Sequence, residues 1–435
     1  MSGQSDCILI IGAGGAGLIA AWKAASMGAP VLLLERNSKP GIKILISGGG
    51  KCNVTHDGPM DELGKAFLRR EDRFLKHAFH SFTNEDIRTL LAESGVPTFV
   101  RPDGRVFPRS LRAADVVTAL VERVRAGGGE IRLNARVTGI LSEAGAVTGV
   151  TLEREKIASA RVILTTGGAS YKKTGTTGDG ISWGAQLSHS IVPLRPALAP
   201  LRVHPSPPPE WRGIAIRGGR LSLYSGGRQI DSWSGDILFT HEGISGPAAL
   251  GLSRSAAGAL EESDVALHLD FFPALDFAEL DSGLNRLILA NRGKQIGSIL
   301  CSLLPDRIVP FLLGHLHVSP LTRGHVLTRD ARRKIVGLLK SWNIGNVNGI
   351  ELDRGEVTAG GISLDDIVPQ TMESRKVRHL YVAGEVLDIA GPIGGYNLQA
   401  AFSTGFVAGM SAAGDWLKSK GSDLRETGSH TLNEG

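Results

Sequence analysis

The residues Gly12-Ala13-Gly14-Gly15-Ala16-Gly17 follow an apolar run from Cys7 to Ile11 and precede a stretch of helical composition from Leu18 to Met27. This is the G-x-G-x-x-G pattern in the strand, turn and helix setting that dinucleotide binding requires. Gly12 permits the tight turn, Gly14 lets the backbone approach a pyrophosphate, and Gly17 lets the helix pack closely on the strand. The helix start then presents free N–H groups and a positive dipole end to the phosphates. A second apolar run, Val31 to Leu34, completes a βαβ unit and ends at Glu35, 18 residues beyond Gly17. A carboxylate there accepts hydrogen bonds from a ribose diol and repels a 2′-phosphate. A glycine-rich turn alone is also compatible with an ordinary α/β protein, but strand, helix and acid agree here. On these residues FAD and NAD both stay open.

Further segments separate the two. Gly41 to Asn53 reads G-I-K-I-L-I-S-G-G-G-K-C-N, Thr165 to Gly180 contains T-T-G-G and T-T-G-D-G, Phe239 to Pro247 reads F-T-H-E-G-I-S-G-P, and Tyr381 to Gln399 reads Y-V-A-G-E-V-L-D-I-A-G-P-I-G-G-Y-N-L-Q. Together they resemble the BaiN/YhiN-type flavoproteins, a family of FAD-dependent oxidoreductases, from Cys7 to about Gly409. The resemblance implies a Rossmann-like α/β FAD-binding domain made of residues 1–192 and 350–435. A β-rich, barrel-like insert at 193–275 and a helical part at 276–349 would lie between them. In such folds Gly384, Glu385 and Asp388 return the carboxyl-terminal segment to the cofactor. Thr166, Gly167, Gly168, Gly178 and Asp179 resemble the strand crossing beneath it. The implied cofactor set also includes Arg36, Lys43 and Val137. Lys172 and Lys173 stand where family members often carry a proline, and Ser188-His189-Ser190 replaces a familiar Gly-His, which puts any inherited substrate pocket in doubt.

Two loops have a physical argument of their own. Gly394 and Gly395 precede Tyr396, Asn397, Leu398 and Gln399, where a helix begins, and helix-start N–H groups stabilise negative charge at N1 and O2 of reduced flavin. Ser47, Gly48, Gly49, Gly50, Lys51, Cys52 and Asn53 form a loop whose glycines permit backbone contact with a ring or phosphate, with Lys51 as a cation. A packing turn and a mobile surface loop are the respective structural readings. Cys52 has no second cysteine beside it and is read as a small buried residue rather than a redox partner.

Flavin performs the hydride chemistry, so few catalytic side chains are required. His241 in the F-T-H-E-G-I-S-G-P segment is the first acid or base candidate, and Tyr171 and Tyr396 are candidate proton donors. A turn-capping histidine and packing tyrosines are the competing readings. His77, His80, His315 and His317 lack metal-like partners, and no metal is expected. Arg105 is read as solvated rather than as an anion site.

These residues need elements to hold them. Helical spacing is expected over Glu71 to Ser94, Ser110 to Ala126, Phe277 to about Trp342 and Leu398 to Leu417, and strands over Arg161 to Leu164, Gly355 to Ile362 and His379 to Ala383. Seven of the 20 prolines fall between Pro193 and Pro209, which marks a boundary. The tail after Lys418 is polar and is expected to be disordered.

The 435 residues allow two or three domains, and 48 Lys+Arg against 43 Asp+Glu give a net charge of +5 without a dense basic run. Three cysteines without close spacing indicate neither a disulfide framework nor a zinc site, and a cytoplasmic setting is expected. No run reaches the length of a membrane span. The expected activity is hydride transfer between flavin and a small organic substrate, with NADH or NADPH left open as a transient donor. A tRNA-modifying flavoprotein and a flavin-bearing sensor or scaffold are the alternatives. Nucleic acid and membrane are not expected partners, and the oligomeric state stays open.

Overall fold

The computed structural model describes residues 7–430, with side chains through residue 420. It divides into two compact units, Met1–Leu194 with Val357–Gly435, and Arg195–Glu356.

The first unit is built on a parallel sheet of β1 (Ile8–Ile11), β2 (Val31–Leu34), β3 (Glu130–Arg132), β4 (Arg161–Leu164) and β5 (Leu380–Val382), in the order β5-β4-β1-β2-β3. The central strands are short apolar runs without alternation because both faces are covered, as in parallel sheets generally; Ile8, Leu9, Ile10, Val162, Ile163 and Leu164 are all buried. β5 is more than two hundred residues from β4 along the chain, yet it pairs directly with it, Val162 against Leu380.

Helix α1 (Gly15–Ser26) packs on the long last helix α2 (Tyr396–His430). Small residues allow this closeness. A Cβ on Gly405 would stand 2.3 Å from the Ala16 carbonyl oxygen, and one on Gly409 2.3 Å from that of Ala20. Four-residue spacing puts both glycines on one helix face. The helix that follows the glycine turn is therefore packed against the carboxyl-terminal helix along its length, and the first and last segments of the chain share one hydrophobic core.

Several expected elements differ in detail. The Glu71 to Ser94 stretch is two helices, Arg69–Ser81 and Asn84–Glu93, because Phe82 is extended and Thr83 caps the second helix by accepting from the Asp86 amide. The last helix starts two residues earlier than expected and continues past Lys418 to His430; residues 431–435 of the expected disordered tail lie outside the described residues.

The second unit contains a closed six-stranded barrel of Leu201–His204, Gly243–Ser245, Arg228–Phe239, Ala215–Ser225, Val265–Asp270 and Trp342–Gly349, in that order around the ring. Strand alternation sends Leu221, Leu223, Leu267 and Leu269 into its core. Trp342–Gly349, expected to end a helical stretch, is the closing strand and pairs Val347 with Val203. Helices Phe277–Ala290 and Arg329–Lys340 pack beside it, with Leu280, Leu284, Ile335 and Leu339 joining the same core.

Candidate flavin site

The glycine turn is fixed by contacts that leave no room for side chains. Gly12 has φ +102°, and a Cβ there would lie 2.7 Å from the Thr165 carbonyl oxygen. A Cβ on Gly17 would lie 1.9 Å from the Gly12 oxygen, so these two glycines are demands of the fold itself. Gly14 differs: nothing stands within 4 Å of a Cβ built on it. Its missing side chain keeps an open cradle in front of α1, whose first-turn N–H groups have no acceptor within the helix.

Glu35 is buried at the end of β2 and binds its own protein. Its Oε2 accepts from the Ala13 amide at 2.8 Å, and its Oε1 from the Asn37 amide and Nδ2 at 2.9 and 2.8 Å. The carboxylate thus clamps the glycine turn and keeps further lone pairs for a diol. The Ala135 amide donates to the Glu35 carbonyl, which places buried Val137 two residues further along the same edge. Arg36 donates to the Gly175 carbonyl, Thr177 Oγ1 and Asp179 Oδ2 at 3.2, 2.7 and 3.2 Å, tying the acid end of the site to the Gly178–Asp179 segment.

Lys43 Nζ lies 2.6 Å from Glu385 Oε2, and Glu385 Oε1 also accepts from the Thr358 amide at 2.8 Å. Thr358 Oγ1 in turn accepts from the Ala169 and Ser170 amides. A Cβ on Gly168 would lie 2.4 Å from that same oxygen. Asp388 accepts from the Gly360 amide at 3.0 Å. Gly384, at φ +78°, donates to Thr404 Oγ1, and a Cβ on it would stand 2.9 Å from the Ala16 side chain. The glycine motif near the start of the chain and the acidic motif near its end therefore touch.

The Ser47 to Asn53 loop is partly helical. Helix Ile42–Gly50 changes conformation at Ser47, and Gly48, Gly49 and Gly50 are left-handed and exposed. Lys51 is exposed, whereas Cys52 is fully buried and its thiol is pushed up to about 12 by burial. Asn53 Oδ1 and Thr166 Oγ1 are buried with no hydrogen-bond partner. Buried polar atoms are rarely left unpaired, at a cost of roughly 1–3 kcal/mol each. With the open Gly14 cradle between the two motifs, these two atoms fit a polar cofactor such as FAD.

At the other edge, Gly394 and Gly395 are held against the strand Thr55–His56. The Gly394 carbonyl lies 3.0 Å from His56 Nδ1, and a Cβ on Gly395 would lie 2.4 Å from the Thr55 carbonyl. Tyr396 stacks on His56 with ring centroids 4.7 Å apart and meets Phe67 edge-on. It is half-buried, and burial raises its hydroxyl pKa, so it keeps its proton at neutral pH. The side chains of Asn397 and Gln399 serve the protein. Asn397 closes the loop onto Gly391, while Gln399 joins Thr55, the Phe82 carbonyl and Ser403. Partly buried Leu398 follows in the first turn and packs against the core of the first unit.

Sequence reasoning missed His56, Phe67 and Thr358. The His56 contact with Gly394 and the Thr358 contacts with Ala169 and Ser170 each span more than 180 residues, while Thr358 meets Glu385 across 27. The only local signal was the adjacency of Thr55 and His56 to the Ser47–Asn53 loop. Tyr171 is a left-handed, exposed residue before a short 3-10 turn. His241 belongs to the second unit, where it is exposed in a turn 3.5 Å from Glu242. Arg105 pairs with Asp103. Among the described residues no cluster suited to a metal ion is present, and no helix is long and apolar enough to cross a membrane.

Residues 6–411 match the family described as HI0933-like protein Rossmann domain. The 3-dehydro-bile acid delta(4,6)-reductase of Clostridium scindens is 30% identical over 410 residues, covering 93% of this chain and 98% of that protein. The ribosomal RNA dihydrouridine synthase of Escherichia coli is 31% identical over 399 residues, covering 91% and 95%. Among solved structures, the 3-ketosteroid delta1-dehydrogenase of Sterolibacterium denitrificans is similar with a TM-score of 0.51 at 13% identity, covering 94% of this chain and 99% of that one, which speaks to the fold alone. The chain belongs to the HI0933-like family, the BaiN/YhiN-type FAD-dependent oxidoreductases, and is an FAD-binding enzyme of that kind.

Proposed function

We propose that this enzyme saturates a carbon–carbon double bond conjugated to a carbonyl. The observation that carries the reading is Tyr396: a half-buried phenol, held protonated, set between His56 and Phe67 at the start of the helix whose first amides would border the flavin. The curated relatives support it, since their names describe a reductase of a bile acid and an enzyme making dihydrouridine.

When bound, FAD supplies the two-electron hydride chemistry. The residues that would hold it are the Gly12–Gly17 turn with the α1 amides at the pyrophosphate, Glu35 at the ribose, and Asn53 and Thr166 at buried polar positions. The first amides of α2, at Tyr396, Asn397 and Leu398, would stabilise negative charge on the pyrimidine ring. Tyr396 would give its proton to the alkene carbon beside the carbonyl, the carbon distant from the carbonyl taking the hydride equivalent, and would regain a proton from solvent between turnovers. Tyr171 and His241 are the remaining candidates for that proton; both are exposed, so burial ranks Tyr396 first. NADH or NADPH would be the transient electron donor.

The preferred substrate is a small conjugated ketone. A uracil within RNA is the second reading, favoured by the Escherichia coli relative, because uracil also carries an alkene conjugated to a carbonyl. Anaerobic mixing tests both. The flavin band is expected to bleach with one nicotinamide and to return on adding a conjugated enone or a uridine-containing RNA. A band that bleaches but returns with neither acceptor, only with oxygen, would overturn the proposal.

A further inference from the structure

The outer face of the barrel carries a polar cavity of about 140 Å³ in the Arg195–Glu356 unit. Strand alternation makes it. With Leu221 and Leu223 turned inward, Arg220, Ser222 and Tyr224 point outward, and the register sets Ser222 beside His268 and Arg220 beside Asp270. The Tyr224 and His268 rings lie 4.5 Å apart. His268 Nδ1 is 2.8 Å from Ser341 Oγ, which fixes its ring, and burial lowers its pKa so that the ring is neutral near pH 7.

Among the described residues that line the cavity, the charges leave one free cation. Asp270 is 2.8 Å from Lys340, and both are mostly covered, so this carboxylate is already compensated. Arg220 donates its Nε to Ser234 Oγ at 3.0 Å, and its terminal nitrogens have no hydrogen bond or ion pair among the described residues. The Tyr224 hydroxyl donates to Gln229 Oε1 at 3.2 Å, which leaves the Gln229 amide nitrogen as a pair of donors.

We propose that this cavity is a binding subsite for one nucleotide of a single-stranded RNA. The base lies on the Tyr224 and His268 rings, its polar edge meets Gln229 and Ser222, and a phosphate meets the Arg220 fork. Aromatic rings beside an arginine on a barrel surface are the combination that takes single-stranded nucleic acid, at roughly 1–3 kcal/mol per stacked base. A guanidinium suits phosphate by geometry as well as charge. The cavity shares no residue with the flavin site, so the inference stands or falls separately from the proposed reaction.

The test uses the full-length FAD-loaded protein and a fluorescent uridine decamer at about 50 mM salt, with binding read by anisotropy. R220Q and Y224L should each weaken binding about tenfold or more, as expected for a lost phosphate contact or a lost stacking ring. R220Q should also flatten the plot of log affinity against log salt by about 0.7 of a unit, the share of one phosphate contact on a single strand. Flavin absorbance, melting temperature and the rate of bleaching by nicotinamide should stay at wild-type values, which separates a lost contact from a lost fold. The proposal is overturned if the wild type does not bind the decamer, if both variants bind it equally well, or if uridine monophosphate competes as strongly as the strand does. The last result would assign the cavity to a free nucleotide.

Discussion

Lys43 and Glu385 stand 2.6 Å apart although 342 residues separate them, and this pair bolts the segment after the glycine turn to the acidic motif near the end of the chain. Both side chains are largely covered, and Glu385 also accepts from the Thr358 amide, so the carboxylate cannot be lost without leaving buried donors unmatched. We expect E385A to cost about 1–3 kcal/mol of stability and to weaken FAD binding in parallel. K43M should cost less, because the Thr358 amide still serves the carboxylate. Thermal melts of the FAD-free and FAD-loaded forms measure both effects, and unchanged melts in E385A would remove the pair from the account.

The glycines of the turn divide into two kinds. A side chain at Gly17 meets the Gly12 carbonyl at 1.9 Å, so G17A should lose both folded protein and flavin. A side chain at Gly14 meets nothing of the protein within 4 Å. G14V should therefore fold with a melting point close to that of the FAD-free wild type and yet emerge without flavin. A G14V protein that retained its flavin band would mean that the open space beside Gly14 is not the cofactor cradle.

Cys52 provides a pH-dependent outcome. Its folded thiol sits at about 12 against an ordinary 9.0, raised by burial, so the folded state holds a proton that the unfolded state releases sooner. The contribution to stability is complete below pH 9 and is lost as pH rises from 9 towards 12. C52A should flatten the decline in melting temperature over that window. In the wild type Cys52 should resist thiol reagents at pH 8 until the protein unfolds, and C52A should keep flavin turnover, since a buried neutral thiol is a poor redox partner.

Tyr396 separates proton donation from packing. Y396F keeps the ring against His56 and Phe67, so FAD content and stability should be retained. Reduction of the alkene should fall by about 10²–10⁴-fold if the hydroxyl gives the proton. Bleaching of the flavin by nicotinamide, which needs no proton from this residue, should be unaffected. Equal turnover in Y396F would pass the role to Tyr171 or His241.

The parts of the site that depend on local backbone were legible from residue types. Gly17 must be glycine because the Gly12 carbonyl stands against it within the same turn, and Glu35 lies at a distance set by one helix, whereas the contact that fixes Gly12 comes from Thr165, far along the chain. The α/β character of the first unit followed from apolar runs alternating with helical stretches. Contacts closing over the whole chain were not legible. Nothing near His56 signals that it will sit under Gly394, and nothing near Thr358 signals that its hydroxyl will take the Ala169 and Ser170 amides. Trp342–Gly349 was misread because its glycines and asparagines carry a weak strand pattern, and its role as the closing barrel strand depends on Val203, far earlier in the chain. Asn397 and Gln399 were assigned to the cofactor by their motif, whereas packing commits their side chains to Gly391, Thr55 and Phe82.

The central claim is that the two terminal segments together hold one FAD. The most direct measurement is to purify the full chain, release its cofactor by heat, identify it by absorbance and mass, and titrate FAD-free protein with FAD. The account predicts a yellow protein with one FAD per chain, and a G14V variant that folds but stays colourless. A properly folded wild-type protein that is colourless and takes up no added FAD would contradict it.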